Sequence, residues 1–336
     1  MKSAILTELN KNLVIDDVEL TSLKYGQVLT KNIVSGVCGA QLQEIAGFKG
    51  NANHLPHLMG HEGCGIVTEI GLGVSTVKVG DKVVMHWRKG GGIESPFPEY
   101  VFKNKVITSG KLTTFNEYSI VSENRLTSVP HDTPPEFCAL LGCSLTTALG
   151  VITYEAKVKS GESILIVGAG GVGLNLIQGA KLVNACPIYV MDITDYKKSI
   201  CETLGSNYFI NLKTDKFPTQ KFDVIVDTTG NPDVINQVIP LLSNIGRCIL
   251  IGQTKPGSAL LITNVNQLFE GSGKMLKATQ GGMTSPSTDI PRYINLYQHG
   301  LLNIDNLITH HFPLNEINTA VNLLKTNQAG KIIINL

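Results

Sequence analysis

The chain has 336 residues, of which 43% are hydrophobic and 16% are charged, and its formal net charge is +1. A single hydrophobic core rarely grows beyond about 250 residues, so this length predicts two cores. A net charge this close to zero produces no strong electrostatic attraction for nucleic acid or an anionic membrane, and we expect neither as a partner. The chain shows no secretory leader and no apolar run of about 18 residues, which predicts a cytoplasmic location without a membrane span.

The cysteines of the chain are scattered and odd in number. This distribution argues against a disulfide framework and favours reduced thiols, some of them available as metal ligands. The seven are Cys38, Cys64, Cys138, Cys143, Cys186, Cys201 and Cys248.

Residues 1 to about 144 contain short β-branched runs separated by Gly, Pro and Asn, a pattern that predicts an irregular β-rich domain. The predicted strands cover 28–34, 65–70, 82–85 and 115–121. Residues 88–110 are rich in Gly, Pro and Lys and are predicted to form one long loop.

From about residue 160 strands alternate with helical stretches, which predicts a parallel, doubly wound sheet. The predicted strands are 164–167, 188–192, 224–227 and 248–251, with helices after Gly173, through Cys201 and after Asp233. In the last part of the chain the residue pattern predicts a helix at 291–299, a short segment at 314–324 and a final strand at 332–335. We expect this tail to rejoin the first domain.

The strand at 163–167 runs directly into a G-x-G-x-x-G motif, which is followed by an amphipathic helix. Gly168 permits a tight turn, Gly170 lets backbone amides approach a pyrophosphate, and Gly173 allows the helix to pack closely on the strand. Gly171 and Val172 complete the loop at the helix N-terminus. This combination predicts a dinucleotide site.

Asp192 ends the next predicted strand, about 20 residues after the glycine motif. A carboxylate at this place accepts hydrogen bonds from both hydroxyls of an adenosine ribose and repels a 2′-phosphate. No Arg follows it immediately, so NAD(H) is favoured over NADP(H). The alternative, a solvated strand end, stays open.

Three separate segments of the first domain carry possible zinc ligands, each bracketed by glycine or another small residue: Cys38, His61 and Cys143. Two thiolates and one imidazole leave the fourth tetrahedral position open, as a catalytic zinc requires. Singly, each is more typical of a buried thiol or a core histidine. Together with the nucleotide motif they predict one catalytic zinc site.

At this point the chain resembles the zinc-dependent medium-chain alcohol dehydrogenase family, which includes polyol dehydrogenases and glutathione-dependent formaldehyde dehydrogenases. The matching stretches are GVCG, PHLMGHEGCGIV, VKVGDKVV, TTFNEYSIV, LLGCSLTTALGV, VGAGGVG and GKIIINL. The resemblance implies an α/β fold class with a GroES-like β-rich catalytic domain, residues 1–144 and 284–336. It also implies a Rossmann doubly wound parallel sheet, residues 145–283, with the active site in the cleft.

By position in these motifs, the resemblance assigns roles to six residues. Cys38, His61 and Cys143 correspond to the catalytic zinc ligands, and Glu62 to a neighbouring glutamate that can approach the metal. The two remaining residues concern the coenzyme: Thr147 near the nicotinamide and Lys197 near the adenosine ribose.

The chain also departs from the family pattern. Where relatives with a structural zinc carry four close cysteines, residues 87–100 have none, so no second zinc is predicted. The usual Ser or Thr of the proton relay, and the Asp and His near it, are replaced by Ala40, Gln41 and Gln43. Proton delivery must then use water, the substrate or another side chain. His86 is one candidate, and a surface histidine is the alternative.

Trp87 and Arg88, followed by Lys89, fall where the family lines its substrate pocket. A cation beside an aromatic ring suits a sugar that carries phosphate, carboxylate or a nucleotide. The alternative is a solvated loop.

These observations predict a zinc- and NAD(H)-dependent oxidoreductase that interconverts a secondary alcohol, polyol or sugar derivative and its carbonyl. Two alternatives stay open: an NAD-dependent sugar epimerase or lyase that uses transient oxidation, and a non-catalytic nucleotide-binding protein. By family habit we expect a homodimer or homotetramer, paired through an edge strand near 275–279.

Overall fold

A computed structural model of the chain describes residues 1–262, 264–271 and 273–336. The chain divides into two compact units. The first consists of Met1–Thr146, Ser285–Gly300 and Ile308–Leu336, and the second of Thr147–Thr284 and Leu301–Leu307. The boundary expected after residue 144 lies two residues before this division. Residues 301–307, which the sequence assigned to the first domain, belong to the second unit.

Nineteen strands and eight α-helices lie in the described residues. The strands are β1 Lys2–Leu6, β2 Val14–Asp17, β3 Glu19–Leu20, β4 Gln27–Val37, β5 His57–Leu58, β6 Glu62–Ile70, β7 Lys82–His86, β8 Glu99–Phe102, β9 Lys105–Thr108, β10 Tyr118–Ser122, β11 Leu126–Val129, β12 Ile164–Val167, β13 Ile188–Asp192, β14 Tyr208–Asn211, β15 Phe222–Asp227, β16 Leu242–Leu250, β17 Met275–Ala278, β18 Ile308–Pro313 and β19 Lys331–Asn335. The helices are α1 Gly39–Ile45, α2 Pro135–Leu141, α3 Ser144–Gly150, α4 Gly171–Leu182, α5 Lys198–Leu204, α6 Pro232–Val238, α7 Pro286–Gln298 and α8 Ile317–Lys325.

The first unit is built on a seven-stranded sheet in the order β11-β7-β6-β4-β19-β18, with β10 paired to β4 off this path. Neighbouring strands are antiparallel except for β18 and β19. The long strand β4 lies inside this sheet, and its residues Val34 and Ser35 are paired with β6 on one side and with β19 on the other. This arrangement confirms that the tail of the chain rejoins the first domain.

The second unit contains a six-stranded sheet in the order β14-β13-β12-β15-β16-β17, with every pair parallel. The central strand β12 is an uninterrupted run of four buried aliphatic residues, as expected when helices cover both faces of a parallel sheet. The predicted doubly wound parallel sheet is confirmed. Its order places the carboxyl end of β12 beside that of β15, where the direction of winding reverses, and dinucleotides bind at such a switch point.

The prediction of one long loop over 88–110 is wrong in its second half. Strands β8 and β9 form a hairpin there, with Tyr100 paired to Ile107. Lys103 and Asn104 both have positive φ, 49° and 61°, which is the backbone of the two-residue turn that matches the twist of a hairpin. Residues 88–98 contain no strand or helix.

In the described residues, no single helix has the length and apolar character needed to cross a bilayer. Helix α2 and the helical stretch Ser144–Glu155 form a bent pair that is long and apolar enough only when the two are taken together.

Candidate metal and dinucleotide sites

The three predicted zinc ligands lie together in the first unit. One ligand atom from each of Cys38, His61 and Cys143 lies within 4.8 Å of the other two. Cys38 directly follows β4, His61 directly precedes β6, and Cys143 lies between α2 and α3. Pairing of β4 with β6, which sets Ser35 opposite Gly63, therefore brings the first two ligands together.

The donor set fits a zinc ion. Ligand atoms bound about 2.0–2.3 Å from one tetrahedral zinc lie about 3.5–3.8 Å apart, which falls within the 4.8 Å limit that encloses these three atoms. Cys143 is buried, and Cys38 and His61 are half-buried, so the cluster has the limited solvent access of a metal site. Two sulfurs and one imidazole nitrogen are ligands that zinc prefers.

The Cys38 and Cys143 thiols are hydrogen-bonded to each other. A hydrogen bond with Cys143 holds the pKa of the Cys38 thiol well below its usual range, and the same contact raises the pKa of Cys143. Burial alone would lower the pKa of His61, but the hydrogen bond and charge of Cys38 more than offset it, so that pKa is raised. The contacts within the cluster thus favour negative charge on sulfur, as a metal-binding thiolate requires.

Glu62 lies next to the cluster and is fully buried, with one oxygen paired to the Lys331 ammonium. Its second oxygen, Oε2, has no hydrogen-bond partner among the residues that the structure describes. Burial raises the pKa of Glu62, and the charge of Lys331 opposes that rise. A Cβ at Gly36 would lie 2.8 Å from Glu62 Cδ and 3.0 Å from Lys331 Cε, so this glycine leaves the room that the ion pair occupies.

Gln41 holds two of the site's groups from within α1. Its side-chain Oε1 accepts a hydrogen bond from the Cys38 backbone N–H at 2.7 Å, in the manner of a residue that closes the first turn of a helix. Its Nε2 lies 2.6 Å from His61 Nδ1. The contact to Nδ1 leaves Nε2 as the ring nitrogen of His61 that is available to the metal.

Trp87 and Arg88 follow β7 on the side of the cluster. The Trp87 backbone N–H donates to the carbonyl oxygen of Gly142, the residue before Cys143, at 3.4 Å. The Arg88 guanidinium lies 5.8 Å from the centre of the Trp87 ring, and both side chains are half-buried. Lys89, in contrast, is exposed and lies 3.7 Å from Glu94.

His86 does not fit the expected role of proton relay, nor is it a surface residue. It is buried, and its two ring nitrogens contact the carbonyl oxygen of Arg88 at 2.7 Å and the hydroxyl of Thr127 at 2.9 Å. Burial lowers the pKa of His86 to about 4. A neutral ring with both nitrogens engaged stabilises the segment around Trp87 and has no free nitrogen for a substrate proton.

The glycine loop of the second unit has the conformation that its motif predicts. Gly168 has φ +94°, a value that L-residues rarely adopt, and a Cβ at Gly173 would lie 1.9 Å from the carbonyl oxygen of Gly168. Apart from Gly170 itself and its chain neighbours, none of the described residues has an atom within 4 Å of the Cβ position of Gly170. Gly171 and Val172 begin α4, so the loop directs its backbone amides from a helix N-terminus toward open space.

Asp192 ends β13 and is buried beside this loop. Its carboxylate accepts hydrogen bonds from the backbone N–H groups of Ala169 and Ile193, both at 2.7 Å. The Lys197 ammonium lies 3.5 Å from the same carboxylate and is also buried. Each carboxylate oxygen has two lone pairs, so Asp192 can still accept from ribose hydroxyls. Thr147, the other residue assigned to the coenzyme, is buried in α3.

Sequence reasoning missed two residues of the metal site. Lys331 opens the final strand in the quoted stretch GKIIINL, and a lysine before an apolar strand was the only available signal. In the sequence Gln41 is only a departure from the relay pattern, whereas in the structure it contacts both Cys38 and His61.

Two family profiles match this chain. Residues 24–131 match the family profile described as alcohol dehydrogenase GroES-like domain, and residues 171–298 match the one described as zinc-binding dehydrogenase. The first match confirms the predicted GroES-like domain.

Individual proteins match the chain over nearly its whole length. Alcohol dehydrogenase 6 of Peromyscus maniculatus is 28% identical over 99% of this chain and 97% of its own. S-(hydroxymethyl)glutathione dehydrogenase of Paracoccus denitrificans is 27% identical over 99% of each chain. The crystal structure of benzyl alcohol dehydrogenase from Acinetobacter calcoaceticus is 25% identical, with a TM-score of 0.90 over 100% of this chain and 99% of that one.

The buried state of His86 predicts a pH dependence of stability. Its pKa of about 4 lies below the ordinary value of 6.5, so only the unfolded chain binds a proton as the pH falls between these values. The stability gained from the neutral ring is complete above pH 6.5 and is lost toward pH 4, by about 2 kcal/mol between pH 7 and pH 5. Urea unfolding of His86→Gln should show a smaller loss over that range. The exposed His131→Gln is the control, and an equal pH dependence in His86→Gln and wild type would contradict the prediction.

Proposed function

Because the chain belongs to the zinc-dependent medium-chain dehydrogenase family, we propose that it is a zinc- and NAD(H)-dependent oxidoreductase acting on a polyol or sugar derivative. It interconverts a secondary alcohol and its carbonyl by hydride transfer to or from the nicotinamide. The observation that carries the proposal is the Cys38–His61–Cys143 cluster. The same chain supplies a glycine loop followed by a strand-terminal acid, which supports the nicotinamide coenzyme.

Cys38, His61 and Cys143 would hold a single zinc ion. When bound, zinc supplies a Lewis acid for the substrate oxygen. The chain contributes two thiolates and a neutral imidazole, and Glu62 stands beside them with its charge balanced by Lys331. Within the described ranges this is the one group of at least three His, Cys, Asp or Glu side chains spaced to hold a metal, which supports one zinc per chain.

The coenzyme in this proposal is NAD(H) rather than NADP(H). Asp192 places a buried carboxylate at the end of β13, where ribose hydroxyls donate and a 2′-phosphate is repelled. The nearby cation, Lys197, already lies against this carboxylate at 3.5 Å. Its charge is therefore partly compensated, and it is a weaker partner for an added phosphate than a solvated arginine would be.

The substrate in this proposal is a sugar derivative that carries an anionic group. The Trp87 ring offers a flat apolar surface for a sugar, and the Arg88 guanidinium beside it can bind a carboxylate or phosphate through paired N–H groups. The backbone contact between Trp87 and Gly142 fixes both to the segment that carries Cys143. Ala40 has no hydroxyl, so we propose that the alcohol proton leaves through water or through a hydroxyl of the substrate.

Assembly and location complete the proposal. We expect a homodimer or homotetramer that pairs through β17, an edge strand with β16 as its sheet neighbour. We expect a cytoplasmic location, which the seven free cysteines support.

Removing a ligand tests the metal assignment. Cys143→Ala should lose bound zinc and lower kcat/KM at least about a hundredfold, because the substrate oxygen loses its Lewis acid. NADH binding should persist, since the glycine loop and Asp192 lie in the second unit. The matched control is Cys186→Ala, which removes an exposed thiol outside the cluster. Elemental analysis, NADH fluorescence and turnover are the three readouts, and a Cys143→Ala enzyme with wild-type zinc and turnover would contradict the assignment.

Asp192→Asn tests the coenzyme preference. The amide keeps one acceptor oxygen but loses the charge, so kcat/KM for NAD should fall about tenfold or more while that for NADP rises. Zinc content should not change. Asp195→Asn, three residues away and exposed, should leave the NAD/NADP ratio within about twofold. A ratio unaltered by Asp192→Asn would show that this carboxylate does not select the coenzyme.

Arg88→Gln tests the substrate class on a panel of polyols and sugars with and without phosphate, carboxylate or nucleotide. KM for anionic members should rise about tenfold or more, whereas neutral members should be unaffected. Lys89→Gln, the adjacent exposed cation, should change KM less than about twofold. Equal activity of the wild type on charged and neutral members would remove the anionic substrate from the proposal. Coenzyme consumed in proportion to product separates net oxidation from epimerisation, which regenerates it.

A further inference from the structure

We infer that Gln41 is a positioning residue that presents His61 with a hydrogen-bond donor and thereby weakens zinc binding at the Cys38–His61–Cys143 cluster. A carboxylate in its place would strengthen that binding. The inference rests on the zinc assignment of the proposed function, and it follows from the number of donors and acceptors that meet at one buried side chain.

Gln41 lies between two groups and has no exposed surface. Its single carbonyl oxygen accepts the Cys38 backbone N–H at 2.7 Å. The amide nitrogen therefore faces His61, at 2.6 Å from Nδ1. A carboxamide nitrogen has donors only, so His61 Nδ1 must accept with its lone pair.

This contact decides which nitrogen of His61 carries the proton. A neutral imidazole has one N–H and one lone pair, so a ring that accepts at Nδ1 is protonated at Nε2. Nε2 is also the nitrogen left for the metal. A zinc ligand needs its lone pair there, and the proton must then reside on Nδ1, where it meets the donor N–H groups of Gln41.

Turning the amide over does not remove the conflict. The carbonyl oxygen would then accept from His61 Nδ1–H, but the amide nitrogen would face the Cys38 N–H, which is also a donor. In either orientation one of two donors has no acceptor, and bulk water cannot replace it because Gln41 is fully buried. A carboxylate has two acceptor oxygens and satisfies both donors at once.

The test is the zinc affinity of Gln41→Glu, measured at one fixed pH by competition with a chromophoric chelator. Partners that orient a metal-binding histidine typically change metal affinity 10- to 100-fold, so we expect Gln41→Glu to bind zinc about 10- to 100-fold more tightly than wild type. Added negative charge also attracts a cation without any hydrogen bond. Gln43→Glu, which adds the same charge two residues along α1, controls for this and should change the affinity less than about threefold.

A second measurement needs no folded variant. In zinc-free wild type with ¹⁵N-labelled histidine, long-range ¹H–¹⁵N correlation should show His61 protonated at Nε2 and unprotonated at Nδ1. A ring protonated at Nδ1 would overturn the inference even if Gln41→Glu failed to fold.

The outcomes also separate this inference from the proposed function. If wild type and Gln41→Glu bind zinc with equal affinity, the role of Gln41 is overturned and the zinc enzyme is left intact. The same holds if Gln43→Glu increases the zinc affinity as much as Gln41→Glu does. If neither wild type nor Gln41→Glu binds zinc, the metal assignment and the inference are overturned together.

Discussion

Strand β4 is paired along both edges, and the metal site depends on this constraint. Its pairing with β6 brings Glu62 alongside, and its pairing with β19 sets Val37 opposite Ile332, next to Lys331. Gly36 has no side chain, so the glutamate and the lysine can meet over the backbone of β4. The result is a buried ion pair one residue from His61, a predicted zinc ligand. Breaking such a pair costs far more than a surface salt bridge contributes, because the charge left behind stays buried.

The sequence predicts the glycine loop and the strands beside it correctly because local backbone geometry demands particular residues. The glycine loop is recognisable since only glycine tolerates φ +94° at position 168 and the close approach at position 173. Strands β12 and β13 have the bounds expected from their apolar runs, and Asp192 ends the second of them. The three predicted zinc ligands, which the structure brings together, are recognisable as a set because each stands among small residues in an ordered series of motifs.

Features that depend on distant pairing or on hydrogen-bond partners were not predictable in this way. Lys331 reaches its partner across 269 residues, and nothing near either residue indicates the pair. The role of Gln41 follows from counting donors and acceptors around one amide, which requires coordinates. From the sequence His86 is a candidate proton relay, and only the coordinates show that both of its ring nitrogens are hydrogen-bonded within the protein. The hairpin of β8 and β9 was missed because a Lys-Asn turn is a weaker sequence signal than Asn-Gly.

The place of β19 in the sheet also determines the order in which the protein can be assembled during synthesis. Every strand of the parallel sheet, β12 to β17, is translated before Lys331. The second unit can therefore complete its sheet while the first still has an open edge on β4. Lys331, the counterion of Glu62, is translated 269 residues after it. The carboxylate beside the predicted metal ligands therefore gains its counterion only after every strand of the parallel sheet has been translated.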